Sequence, residues 1–96
     1  MQIVISDKAW FDLLRIYRFL EERSPDAASA FIRRIDTNFR NLSRFPFIGR
    51  ERSRLYPGLR CLVVGLHLVF YTVSSDLITI IRVIDGRMDI DEEFYR

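Results

Sequence analysis

The residues of this chain best suited to chemistry are three arginines, Arg60, Arg82 and Arg87, the hydroxyl-bearing Tyr71 and Tyr95, and the lone histidine, His67. Such groups are the components of metal-free RNA cleavage, which needs a base for the 2′-hydroxyl, cations for the phosphorane and an acid for the leaving oxygen. The set is incomplete, because arginine titrates too high to serve as an ordinary base and the only lysine is Lys8. Nucleophilic catalysis fares no better. His67 and Cys61 fall within β-rich runs, with no sharp Gly-rich elbow beside them. Asp89, Asp91, Glu92 and Glu93 supply neighbouring carboxylates, but acids crowded into a terminal segment read as a solvated or partner-facing patch. One cysteine and one histidine make a metal cluster implausible, and no Gly-rich loop offers a phosphate cradle. No catalytic residue, metal ligand or cofactor is assigned.

These residues must be positioned by elements that the hydrophobic spacing makes readable. Gln2 to Ile5 is a short β-like run, and Ser6 is placed to cap a helix starting at Asp7. Ala9, Leu13, Ile16 and Leu20 recur at helical spacing, widened by Trp10, Leu14 and Tyr17, which predicts an amphipathic helix to about Arg23. Ser24-Pro25-Asp26 opens a second helix, with serine as cap, proline in the first turn and aspartate at the positive end of the dipole. Its core stripe is Ala28, Phe31 or Ile32, Ile35, Phe39 and Leu42, and the joint between the helices is short enough to demand an antiparallel hairpin. Phe45-Pro46-Phe47-Ile48-Gly49 stops it. Four β-rich runs follow, Arg54–Tyr56, Leu59–Val64, Leu66–Val73 and Leu77–Ile84, separated by Pro57-Gly58, Gly65 and Ser74-Ser75-Asp76. The order β-α-α-β(3-4) predicts an α+β two-layer sandwich, with the helix hairpin packed on one face of an antiparallel sheet.

The strands carry one anomaly. Leu62-Val63-Val64 and Leu77-Ile78-Thr79-Ile80-Ile81 are apolar on both parities, whereas a sheet with one wet face should alternate. Two helices cover only one face, so the other calls for the C-terminal tail, a second copy or another protein; another protein is the expected cover. The tail, Ile80 to Arg96, reads as the last strand plus a short charged extension.

A composition of 49% hydrophobic and 29% charged residues, with three prolines and four glycines, is that of a folded chain. Ninety-six residues make one domain, residues 1–96, with no room for a second. Neither a secretory leader nor an apolar window of the ~18 residues needed to span a membrane is visible, so a soluble, cytoplasmic protein is expected. All but one of the 15 basic residues are arginine, which suits interfaces through its planar fork. A net charge of +2 does not by itself establish nucleic-acid binding.

Taken in order, SDKAWFDLLRIYRFL, LSRFPFIGRE, LYPGLRCLVV, HLVFYTV and IIRVIDGRMD resemble the RelE/ParE toxin superfamily of bacterial type II toxin-antitoxin modules. The pattern is more similar to the ParE branch. Its P-x-x-G-R, G-x-R, F-Y and R-V-x-x-G-R-x-D signatures fall here on Pro46, Gly49, Arg50, Gly58, Arg60, Phe70, Tyr71, Arg82, Val83, Gly86, Arg87 and Asp89. The resemblance implies a first strand that joins the sheet beside the last one. It also implies a toxin that inhibits DNA gyrase and is neutralised in a hetero-oligomer by a small, DNA-binding, ParD-like antitoxin. The toxin itself is not expected to read DNA sequence. The alternative is a RelE-like ribosome-dependent mRNA endonuclease. Where many relatives carry histidine before the Gly-Arg of the tail this chain has Asp85, which favours a binding tail over a nuclease one. Arg60, Tyr71, Arg82 and Arg87 are the expected polar cluster of the functional surface. Antitoxin contacts are expected along the outer helix face and the open side of the sheet, at Phe47, Ile48, Leu66 and Val69.

Overall fold

The computed structural model describes residues 1–96. Strand β1 (Gln2–Ile5) leads into helix α1 (Asp7–Arg23), whose first turn is capped by the Ser6 hydroxyl accepting from the Ala9 N–H at 3.2 Å. Helix α2 (Pro25–Arg44) follows after a single residue. Ser24 serves both ends: its N–H donates to the Leu20 carbonyl at 2.8 Å, and its hydroxyl accepts from the Ala27 N–H at 3.2 Å. A one-residue joint leaves the chain no course but to double back. Ala9 and Ala28 are buried where the helices and sheet close on one another, with Leu13, Phe31, Ile35 and Leu42 beside them. Truncating one of these large residues to alanine would cost about 2–5 kcal/mol.

The sheet has the order β1-β5-β4-β3-β2, and the successive pairs among β2 (Arg50–Glu51), β3 (Arg60–Val64), β4 (His67–Ser74) and β5 (Leu77–Asp85) are antiparallel. β1 runs parallel to β5, with Gln2 opposite Leu77 and Ile5 opposite Ile80. The expected α+β sandwich is thus observed, with the first strand beside the last. One strand is misplaced in the sequence reading: Arg54–Tyr56 forms turns, and the edge strand is Arg50–Glu51. The reason is Leu55, which leaves the sheet plane to bury itself under the opposite face.

That burial also corrects the expectation that another protein covers the second face. Leu55 and Leu59 from the loop, together with Phe94 of the short helix α3 (Ile90–Phe94), enclose Cys61, Phe70 and Ile84 in a second core. The chain covers this face itself around Cys61, Phe70 and Ile84, while Val4 and Val63 stay exposed. The run that is apolar on both parities has a second cause. Strand pairing steps from Phe70 opposite Arg82 to Tyr71 opposite Ile80, so Ile81 is an unpaired bulge. The extra residue shifts the alternation, and Ile78, Ile80 and Val83 all join the core under the helices.

Candidate functional site

The Pro46–Gly49 turn is held by two of the residues singled out from the sequence. Tyr71 is buried, and its hydroxyl accepts from the Gly49 N–H at 2.8 Å while donating to the Pro46 carbonyl at 2.8 Å. Burial pushes the phenol above its ordinary pKa, which keeps the proton it donates. Gly49 has to be glycine, because a Cβ there would lie 2.4 Å from the Tyr71 oxygen. Arg60 donates from one Nη to the Gly49 carbonyl at 2.8 Å and the Phe47 carbonyl at 3.3 Å, and its guanidinium stands 5.0 Å from the Phe47 ring centre. The turn is therefore a rigid mount. It holds Phe47 and Ile48 outward, 62% and 50% exposed.

Arg82 is not on a surface. Only 5% exposed, it donates to Asp12 through Nε at 2.8 Å and Nη2 at 3.0 Å, and its Nη1 donates to the carbonyls of Glu93 and of Phe94, the latter at 2.9 Å. The bond to Asp12 raises the guanidinium pKa further. Asp12 also accepts the Val83 N–H at 2.9 Å, on the outer edge of β5 beyond the end of β1. One buried ion pair thus ties α1, β5 and α3 together, and Arg82 is withdrawn from the functional surface. Sequence reasoning missed Asp12. The signal was available: at three residues after Ala9 and four before Ile16 it lies on the core stripe of α1, where a carboxylate needs a buried partner.

Arg87 does lie at the surface, clasped to Asp85 through Nε at 3.0 Å and Nη2 at 2.7 Å. Those bonds hold the Asp85 carboxyl at about 2, down from 3.8. The Gly86 N–H donates to the Leu66 carbonyl at 2.8 Å, so the turns around Leu66 and Arg87 sit side by side. Arg15, Phe19, Leu66, His67, Arg87 and Met88 line a groove of about 270 Å³ between α1 and this end of the sheet. Burial lowers the His67 pKa, and its ring stands 5.0 Å from that of Phe31. Leu66 and Arg87, assigned from the sequence to different surfaces, share one groove. Val69 is fully enclosed in the core between helices and sheet, so the contact expected of it is withdrawn.

A second groove, of about 500 Å³, opens on the outer side of the helix hairpin between Trp10, Phe11, Leu14, Tyr17 and Ile32. Trp10 is 58% and Phe11 70% exposed. Soluble chains seldom leave such rings together in water without a partner. The outer helix face was expected to be a contact surface; Phe11 was the residue missed, because it falls outside the core stripe.

Tyr71 and Tyr95 donate their hydroxyl protons to the Pro46 and Leu55 carbonyls, and Arg82 is enclosed. No three histidine, cysteine, aspartate or glutamate side chains gather as a metal site, and no helix is long and apolar enough to cross a membrane.

Comparison with known proteins places the chain in a family. The family profile described as "ParE toxin of type II toxin-antitoxin system, parDE" matches residues 3–90. Toxin ParE3 of Caulobacter vibrioides is 41% identical over 80 residues, a stretch covering 82% of this chain and 80% of that protein. Toxin ParE1 of Mycobacterium tuberculosis is 34% identical over 67 residues, 69% of this chain and 68% of its own length. A solved structure titled "Chromosomal ParDE TA system from P. aeruginosa" superposes with a TM-score of 0.72 at 24% identity, covering 88% of this chain and 95% of that one.

Proposed function

We propose, for a chain that belongs to the ParE toxin family of type II toxin-antitoxin systems, that it arrests growth in the cytoplasm by inhibiting DNA gyrase. A ParD-like antitoxin holds it in check in a hetero-oligomer. The observation that carries the second part is the open apolar groove of Trp10, Phe11, Leu14, Tyr17 and Ile32, which suits the apolar face of an amphipathic segment. Phe47, Ile48 and Leu66, all exposed, extend the contact to the mounted turn and the end of the sheet. Arg87, the one member of the expected cationic cluster that is strongly exposed, is the residue we assign to target contact.

Support for the gyrase part is the family, together with the enclosure of Arg82 and the engagement of the Tyr71 and Tyr95 hydroxyls by backbone carbonyls. The test is purified gyrase acting on relaxed plasmid, with the toxin alone and with its antitoxin. Loss of supercoiling that the antitoxin reverses is the expected result, and Arg87→Ala should abolish inhibition while antitoxin capture survives. Pulse labelling after induction provides the opposing outcome: protein synthesis failing first, with cleaved mRNA, would replace gyrase by the ribosome.

A further inference from the structure

Six arginines, Arg15, Arg40, Arg54, Arg82, Arg87 and Arg96, have carboxylate partners. Of the eight without one, Arg18, Arg23, Arg33 and Arg34 are carried by α1 and the middle of α2, and the other four, Arg44, Arg50, Arg52 and Arg60, belong to the sheet edge built by the end of α2, the Pro46–Gly49 turn, β2 and the start of β3. Arg50 stands opposite Cys61 on the face that α3 covers, and the Arg52 guanidinium lies 6.0 Å from the Phe70 ring on that side. Arg60 approaches from the other face, over Phe47. The only acid between residues 44 and 60 is Glu51, whose carboxylate accepts from the Ser53 hydroxyl at 2.8 Å. Aromatic rings are interleaved with these cations. Phe45, Phe47 and Tyr56 are exposed, with the Arg44 guanidinium 5.4 Å from the Phe45 ring and that of Arg60 5.0 Å from Phe47.

Guanidinium groups without a carboxylate partner beside exposed ring faces match what a single nucleic-acid strand presents, phosphates along its backbone and π-faces on its unstacked bases. An acidic protein surface would satisfy the cations but not the rings. We propose that this edge binds single-stranded nucleic acid irrespective of sequence, with Arg44, Arg50, Arg52 and Arg60 on phosphates and Phe45 and Phe47 as stacking platforms. The site stands apart from the gyrase reading: a toxin that leaves gyrase untouched can still bind the strand, and the reverse.

The test is fluorescence anisotropy of the full chain with a labelled mixed-sequence DNA strand of about 20 nucleotides. With four phosphates neutralised, the logarithmic salt slope should be about −2.8, so that Kd rises about 50-fold between ~50 and ~200 mM salt. Arg50→Ala with Arg52→Ala should reduce that rise to about 7-fold. Phe47→Ala should weaken binding by about 5-fold or more at every salt concentration without changing the slope. Circular dichroism checks that the variants remain folded. The proposal is overturned if no binding is seen at the lowest salt, if the double substitution leaves the slope unchanged, or if polyglutamate of equal charge competes as well as unlabelled DNA. The last outcome would assign the edge to an acidic protein.

Discussion

Replacing Asp12 by alanine tests the central claim about how this fold is fastened. The carboxylate is 2% exposed and accepts three hydrogen bonds from β5, two from Arg82 and one from the Val83 N–H. Removing it strands a guanidinium 5% exposed and leaves the Val83 N–H without an acceptor. Breaking a buried pair in this way costs about 3–5 kcal/mol, against a total stability of about 5–14 kcal/mol for a domain of this length. Since 1 kcal/mol shifts the melting temperature of a small domain by about 4–8 °C, a fall of about 12 °C or more is expected by calorimetry or circular dichroism. Because Arg82 also donates to the carbonyls of Glu93 and Phe94, hydrogen exchange in the tail should speed up along with the loss. Asp12→Leu with Arg82→Met, which removes both charges, should recover part of the stability, leaving the tail as the chief defect. A melting temperature within about 4 °C of the parent for Asp12→Ala would refute a buried pair at this position.

Tyr71→Phe should cost about 1–3 kcal/mol in urea unfolding, because the Gly49 N–H and Pro46 carbonyl lose their partner. Gly49→Ala should cost at least as much, since its Cβ meets the phenol oxygen at 2.4 Å, and the phenylalanine variant should relieve part of that penalty. Trp10→Ala with Phe11→Ala should weaken capture by the antitoxin by about 2 kcal/mol or more, roughly 30-fold, with the melting temperature nearly unchanged because both rings are exposed in the free chain. Asp85 sets a pH dependence. Its folded pKa, held at about 2 by Arg87, lies below the unfolded value. The stabilisation is therefore complete above about pH 4 and lost as pH falls towards 2. Arg87 is 72% exposed, so screening keeps the effect to about 1 kcal/mol or less, and Asp85→Asn should flatten that part of the acid limb.

The helices were legible because their information is local. Ser6 and Ser24 cap what they precede, and the apolar spacing of Ala9, Leu13, Phe31, Ile35 and Leu42 names the buried face. What escaped the reading depends on residues far apart in the chain. Leu55 looks like a strand residue until Phe94, 39 positions later, supplies a second core for it. Ile81 looks like one more residue of an alternating strand until its register against Phe70 and Tyr71 turns it into a bulge. Asp12 stands on the core stripe of α1, but the partner that explains it, Arg82, arrives only 70 residues on.

The same distinction explains why the family was readable and the site was not. Gly49, Arg60, Tyr71 and Arg82, four positions of the recognisable pattern, are absorbed by two fastenings: the mount under the Pro46–Gly49 turn and the buried pair with Asp12. Such residues interlock, so any one of them constrains the identity of the others, as the 2.4 Å approach of Tyr71 does at Gly49. A pattern built from interlocked residues is reliable evidence of architecture because it records how the fold closes. It is poor evidence of what the surface touches. Trp10, Phe11, Phe47, Ile48 and Leu66 constrain no neighbour in that way: their side chains reach into solvent and can be exchanged to suit a partner at little cost to the fold. Partner choice in this architecture should therefore follow the exposed apolar positions on α1, the mounted turn and the end of the sheet. Exchanging those residues between two toxins of the family should transfer antitoxin preference, whereas exchanging Tyr71 or Arg82 should change stability alone.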